Sequence, residues 1–571
     1  MKGHLRDRWN TNLSFFYSST ILSSIIIFGL IGPILTENSN DKPAMGWNSF
    51  PAFECKIDER TMGRQVDLIN EKQLSGSGYK TFVLECGWEG KTRKDGTPST
   101  YRKRFRSGMK AFGDHVRNNG LRLGVLSPMG GEECRGKKRK KKRAVLEKRK
   151  KRGVYDPKKY LQTLVDWGTT HIRHRPCYWA APWLIQDPEA SKRINNRYIE
   201  MANLVRDLKR PDMIYAAGVL ANSPEANNIK ANSYRISHDN LPYWFSITSI
   251  INSAAGHLGR NGPSGFRDLH TLHFGKSSLT QVEKLTQFIF WAAAKSPLIF
   301  SNKIEDLDQS DLDILKHKAT IDINQDPKAK GITLKRRYTD EKDVWAGTTG
   351  DGSVFAVIIN WKDSTENHNV LLSDVGLSEA RVIDIWTGQD YGVIKDNHTF
   401  IIGPHACVFV KFTESKPAPP RKFKKIPAEK GDTMGSAYLR NVNDKDKAIS
   451  NIDQGGYSGA RFVDVDGGGE GGRVLVSFDY SNAELAVDVQ YSLIIKRPYR
   501  RRAVITVNDT DKTIVEFPIS GPSWQDITRD YLVELPGFYP GESNKVLIEG
   551  YEGWAPDIVS LGVLENVTPA A

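Results

Sequence analysis

Two arginines and a few carboxylates carry the chemistry open to this sequence. Arg173 and Arg175 fall in the run His171-Ile172-Arg173-His174-Arg175-Pro176-Cys177. If that run is a strand, alternation puts both arginines on one face. A guanidinium stays protonated at any working pH, so it can hold an anion but cannot attack carbon. No Asp or Glu lies between Trp167 and Ile185 to take over such a role. Asp239 ends the run Arg235-Ile236-Ser237-His238-Asp239 and could give or take a proton. Taken alone, such an Asp is more often a solvated or capping residue. Glu85 is another carboxylate, placed directly after the apolar run Thr81-Phe82-Val83-Leu84.

Charge and composition narrow the classes. The 571 residues are 39% hydrophobic and 26% charged. That suits a folded chain of several domains and excludes disordered, collagenous and multispan membrane classes. The formal net charge is +14, but residues 135–152 hold thirteen Lys/Arg and one Glu, which is +12 and leaves +2 for the rest. This basic run reads as a solvated loop insertion, as a site for a polyanion, or, through dibasic pairs such as Lys142-Arg143 and Lys151-Arg152, as a processing-protease site. No aromatics interleave with it, so no nucleic-acid partner is expected. Residues 9–36 carry no formal charge and follow Lys2, Arg6 and Arg8, the pattern of a signal peptide or an uncleaved signal anchor. Either one sends the chain into the secretory pathway, secreted or anchored through 9–36. Four of the five cysteines (Cys55, Cys86, Cys134, Cys177) lie in the first third, enough for two bridges, and Cys407 is left over. Asn397, Asn508 and Asn566 head glycosylation sequons.

The elements that must position these groups change character along the chain. From Pro43 to about Asn324, apolar strand-like runs such as 121–126 and 298–300 alternate with helical patterns such as 108–119 and 189–208. Strands separated by helices imply parallel pairing with right-handed crossovers. About eight such units fit a TIM barrel in length, and a doubly wound open sheet is the alternative on periodicity alone. After about Lys330 come short strands with Gly/Asn/Asp turns, an antiparallel β-sandwich. The expected organisation is a signal segment at 1–40, a barrel at 41–328 with the basic insert 135–152, and a sandwich at 329–413. A proline-rich linker at 414–425 and a second β-sandwich at 426–571 follow.

Several motifs in this frame resemble the α-galactosidase family of glycoside hydrolases, family twenty-seven, in its fungal form. They are Met45-Gly46-Trp47-Asn48-Ser49-Phe50, Glu85-Cys86-Gly87-Trp88, Arg104-Phe105-Arg106-Ser107-Gly108-Met109-Lys110, Arg235 to Asp239, and Lys295-Ser296-Pro297-Leu298-Ile299. The resemblance runs from about Pro43 to Phe412 and implies a barrel, then a sandwich, with bridges Cys55–Cys86 and Cys134–Cys177. A retaining glycosidase needs two carboxylates about 5 Å apart, one as nucleophile and one as acid/base. The resemblance gives the acid/base role to Asp239. It places Arg175 where the family carries its nucleophilic Asp, with Cys177 setting the register. It implies sugar contacts at Trp47, Glu85, Trp88, Arg173, Arg235 and Asp268. Pro128 and Leu269-His270-Thr271 depart from the family pattern.

The expected function is therefore a secreted carbohydrate-active protein, impaired as an α-galactosidase and binding its glycan without cleaving it. The alternative is an active hydrolase using Asp239. The glycan partner is an α-galactoside or, because two arginines face inward, an acidic sugar. No cofactor or barrel metal is expected. The last segment resembles a family thirty-five carbohydrate-binding module through residues such as Tyr457-Ser458-Gly459, Trp524 and Trp554-Ala555-Pro556-Asp557-Ile558. That resemblance implies a structural calcium near Glu429 and Asp557.

Overall fold

The computed structural model describes residues 41–565 apart from 51, 129–154, 176–187, 220–226, 238, 260–263, 339–341, 454–457, 467–471, 484–500, 522 and 541–542. The apolar segment 9–36, the basic run 135–152, Cys134, Cys177 and Asn566 therefore lie outside the described residues.

Eight short strands form one curled parallel sheet. They are β1 (Met45–Asn48), β2 (Thr81–Leu84), β3 (Arg122–Pro128), β4 (Thr169–Arg175), β5 (Ile214–Val219), β6 (Lys230–Arg235), β7 (Ser264–Asp268) and β8 (Leu298–Phe300). Their order is β7-β6-β5-β4-β3-β2-β1-β8. The two edges meet through the segment after β7, where the Leu272 amide donates to the Ile299 carbonyl at 2.9 Å and the Ser301 amide to the Leu272 carbonyl at 3.1 Å. This is the TIM-barrel architecture. The apolar run of β2 is buried throughout, as expected of a parallel strand covered on both faces. Gly46 in β1 has no alternative, since a Cβ there would collide with the carbonyl of Thr81.

The helices between the strands start on local signals. Helix α1 (Glu59–Glu71) is capped by the Asp58 carboxylate, and α2 (Met109–Asn118) begins after Gly108. Helix α3 (Pro157–Asp166) combines an Asp156 cap with proline at its first position. Helices α4 (Pro188–Asp207) and α5 (Trp244–Ala255) follow. Helix α6 (Gln281–Ala293) opens on a capping box between Thr280 and Glu283.

Beyond the barrel, a six-stranded antiparallel sheet that includes Lys342–Thr348, Val354–Asn360, Leu377–Asp384 and Cys407–Pro417 faces the two-stranded sheet Glu366–Leu371/Asn397–Ile402. Val344, Ile358, Val382 and Phe412 pack with Val370 and Phe400 between them. The expected linker at 414–425 is mostly strand. Cys407–Pro417 keeps pairing with Leu377–Asp384 as far as Pro417, a strand end where a missing amide is tolerated, and the next strand begins at Phe423. Arg421, in the short connection, donates to Ser373 and Asp374. The final domain is two antiparallel sheets around Phe462, Phe478, Tyr480 and Phe517. There the Asn508 amide donates to the Gly537 carbonyl at 2.8 Å and to Asn544 Oδ1 at 2.7 Å, whereas Asn397 is exposed at the start of its strand.

Buried ion pairs stitch the domains together. Arg337 makes a two-pronged pair with Asp343, both contacts at 2.7 Å, and its third nitrogen donates to Asn252 of α5 at 3.0 Å. Removing one partner of such a pair strands a charge in a medium that solvates it poorly. Asp343→Ala is expected to destabilise the chain by about 3–5 kcal/mol, read as a lowered calorimetric melting temperature.

Candidate functional site at the barrel mouth

The C-terminal ends of the strands bring the candidate residues together. Glu85 follows β2, Arg173 and Arg175 lie near the end of β4, Arg235 ends β6 and Asp268 ends β7. Glu85 and Arg173 are buried against each other, with Arg173 Nη1 2.8 Å from Glu85 Oε1. The same oxygen accepts from Asn48 Nδ2 at 3.0 Å, and the Glu85 amide donates to the Ser49 hydroxyl at 3.1 Å. Sequence spacing sets Glu85 two strands from β4, but the arginines are long enough to span that gap. Arg175 stands between two carboxylates: Nη2 is 3.6 Å from Glu85 Oε2 and Nη1 is 3.9 Å from Asp239 Oδ1. Arg235 Nη2 lies 2.6 Å from the same Asp239 oxygen. The Asp239 side chain is 49% exposed, so this group opens to solvent while its arginine partner is buried.

The electrostatics fix the protonation states. The Arg235 guanidinium beside Asp239, aided by Arg175, outweighs burial and holds its carboxyl far below the usual carboxylate range. Burial among arginines pushes the His270 imidazole well down, so it is neutral. Its Nδ1 accepts from the Asn240 amide at 2.9 Å, which assigns the proton to Nε2, 3.9 Å from Asp239 Oδ1. His270 itself sits in the left-handed region (φ 75°), its amide donating to Asp268 Oδ1 at 2.7 Å. His171 and His174 are buried and pushed down to about 3, mainly by that burial.

Several expectations change. The resemblance implies sugar contacts at Trp47 and Trp88, but both are fully buried. Trp47 stacks on Phe82 and donates to the Asn302 carbonyl, and Trp88 meets the edge of Trp167, so neither presents a face for stacking. The positive excess expected from Arg173 and Arg175 is not found. Among the described residues at the mouth, three guanidinium groups (Arg173, Arg175, Arg235) face three carboxylates (Glu85, Asp239, Asp268). Glu429 is exposed, and Asp557 accepts from Arg440 Nε at 2.6 Å and from the Ser450 hydroxyl at 2.8 Å. A cation at Asp557 would face a guanidinium, so these residues do not fit a calcium ion. The bridge Cys55–Cys86 is formed, while Cys134 and Cys177 lie outside the described residues. Two participants, Asn48 and His270, are not among the site residues that the sequence points to. The signal for Asn48 is its place inside the Met45 to Phe50 motif. His270 stands at a departure from the family pattern, where resemblance gives no guidance.

A closed ring of parallel strands with its ionisable groups gathered at their C-terminal ends, followed by an antiparallel sandwich, defines a TIM-barrel protein with its site at the barrel's C-terminal face. A family model described as Alpha galactosidase A matches residues 42–326, and one described as Alpha galactosidase C-terminal beta sandwich domain matches 339–412. The chain belongs to this α-galactosidase family, family twenty-seven of the glycoside hydrolases. It is 26% identical to a probable alpha-galactosidase D of Aspergillus fumigatus over 75% of this chain and 66% of that one, and 27% identical to the α-galactosidase of Cyamopsis tetragonoloba over 65% of this chain and 87% of that one. It thus spans just under two thirds of the Aspergillus relative's length. Among solved structures it resembles α-galactosidase I of Mortierella vinacea (22% identity, TM-score 0.55, 66% of this chain and 99% of that one). It also resembles the Saccharomyces cerevisiae α-galactosidase solved with raffinose (20% identity, TM-score 0.55, 67% and 100%).

The depressed Asp239 titration has a thermodynamic consequence. Its folded-state pKa lies below the unfolded value of about 3.9, so the Arg235 pair contributes stability above that pH and loses it as pH falls further. The melting-temperature gap between the native chain and Asp239→Asn is expected to hold from about pH 8 to about pH 5 and to shrink below about pH 4. Differential scanning calorimetry checks this, and a gap that already closes near pH 6 contradicts it.

Proposed function

We propose that this chain is a carbohydrate-binding member of its family that does not hydrolyse α-galactosides by the retaining route. The observation that carries the reading is the place of Arg175, a permanent cation held between Glu85 and Asp239, at the position that the resemblance assigns to the nucleophile. Retaining hydrolysis also needs a protonated acid at the leaving oxygen. Arg235 opposes that state by holding Asp239 ionised. Because the described ionisable groups at the mouth balance, we favour a neutral galactoside over an acidic sugar as the ligand. The formed Cys55–Cys86 bridge supports passage through an oxidising compartment, in keeping with secretion. The basic run 135–152 remains a proposed polyanion contact.

The purified full chain is expected to release no measurable nitrophenol from nitrophenyl α-galactoside while binding the sugar by calorimetry. Arg175→Asp is expected to raise turnover. Turnover by the native chain that disappears in Asp239→Asn would instead establish the active-hydrolase reading.

The final domain offers a second glycan contact. A cleft of about 420 Å³ is lined by Tyr438, Trp524 and Trp554 together with Arg440 and Asp557. Tyr438 and Trp554 are 54% and 41% exposed, and aromatic faces beside hydrogen-bonding groups suit a pyranose ring. Trp554→Ala is expected to abolish retardation of the chain in affinity gels containing a galactose-bearing polysaccharide, with the melting temperature unchanged.

A further inference from the structure

We propose that His405 is a pH-operated clasp between the sandwich and the barrel segment that carries Asp239. His405 sits in the turn before strand Cys407–Pro417, and both of its ring nitrogens face carboxylates. Nδ1 is 2.7 Å from Glu283 Oε1 of α6, and Nε2 is 2.8 Å from Asp363 Oδ1 of the sandwich. A neutral imidazole has one donor and one acceptor nitrogen, whereas an ionised carboxylate only accepts. Both bonds form only when the ring carries two protons. Losing one proton breaks a bond and turns a lone pair toward an anion.

The surroundings reinforce the charged state. The ring stacks on Trp244, the first residue of α5, with centroids 4.6 Å apart and planes 18° apart, which suits a cation over an indole face. From α6, Thr286 donates to the His405 carbonyl at 2.9 Å, and Lys284 turns away to Asp311 at 2.9 Å. From the sandwich, the Lys362 carbonyl accepts from the His405 amide at 3.3 Å while its ammonium lies 3.6 Å from Glu366. Glu283 is also the capping-box residue of α6, its other oxygen accepting from the Thr280 amide at 2.8 Å. Burial alone would discourage the charge, but the Glu283 and Asp363 bonds overcome it and raise the imidazole above its ordinary range.

The clasp reaches the mouth through a short path. Asp239 and Trp244 are five residues apart, and the segment between them is laced to the first turn of α5. The Ser246 hydroxyl accepts from the Leu241 amide at 2.9 Å and donates to Asn240 Oδ1 at 3.2 Å. The clasp holds Trp244, and Trp244 begins the helix that anchors this loop. A raised folded-state pKa makes the contribution complete below the unfolded imidazole value of about 6.5 and removes it as pH rises through the folded value. The Asp239 loop is therefore held at low pH and released as pH rises through the folded-state value of His405.

Hydrogen exchange of the full chain, followed by mass spectrometry and corrected for intrinsic rates, tests this. Peptides spanning 239–250 and 403–407 are expected to lose protection several-fold as pH rises past the ordinary imidazole range. In His405→Gln both peptides are expected to stay at the weaker level throughout. Asp363 is 95% exposed at its side chain, so Asp363→Asn spares the fold and is expected to move the loss to lower pH. Exchange of the imidazole C2 hydrogen gives the His405 titration directly. Unchanged profiles in His405→Gln or in Asp363→Asn, or titration of His405 at or below the value of an exposed histidine, would overturn the proposal.

Discussion

Charge neutralisation at the barrel mouth governs the rest of this structure. Arg173, Arg175 and Arg235 are drawn into a poorly solvating cavity, and each needs an anion within a few ångströms. Glu85 and Asp239 meet that need, and Asn48 and Ser49 hold Glu85 in place. The same contacts that make the arginines tolerable keep Asp239 anionic. A carboxylate serving as general acid at neutral pH is usually raised by an apolar neighbour or a second acid. Here it has guanidinium neighbours, and its titration moves the opposite way. The pocket is thus a set of linked ion pairs, of which Arg175 is one part.

Much of this was legible in the sequence, and the reasons differ by residue. The barrel could be read because apolar runs such as Thr81–Leu84 alternate with capped helices, a local signal that survives without context. The Cys55–Cys86 bridge and the gathering of Glu85, Arg175 and Asp239 followed from motif resemblance, which carries long-range information that local patterns lack. Side-chain reach and facing were not legible. Trp47 and Trp88 look alike whether they line a cavity or fill a core, and only packing against Phe82 and Trp167 places them in the core. The balance among the described charges at the mouth was hidden because Arg235, Asp268 and Glu85 are far apart in sequence. The linker at 414–425 reads as extended from its prolines, but extended chain also describes an edge strand, and pairing as far as Pro417 decides between them.

The domain junctions use the same physics as the mouth. Arg337 serves Asp343 within its sheet and Asn252 in the barrel, while Arg336 lies 3.3 Å from Asp374 and 3.5 Å from Glu534 of the final domain. Such contacts demand fixed geometry, since a buried guanidinium tolerates little displacement from its partners. They join the second and third domains to the barrel by direction as well as by area. The His405 contact differs, because its outer partner, Asp363, is solvent-exposed and an imidazole can lose a proton that a guanidinium keeps.

Asn508 shows how one hydrogen-bonding group can constrain how this protein is produced. Both hydrogens of its amide nitrogen are already committed, to Gly537 and Asn544, and an attached sugar would replace one of them. Oligosaccharide transfer acts on chain that has not yet folded, so modification here would precede the β-structure it disrupts. A host that decorates every sequon would then yield a C-terminal domain lacking one of its ties, whereas a bacterial expression host would leave that tie intact.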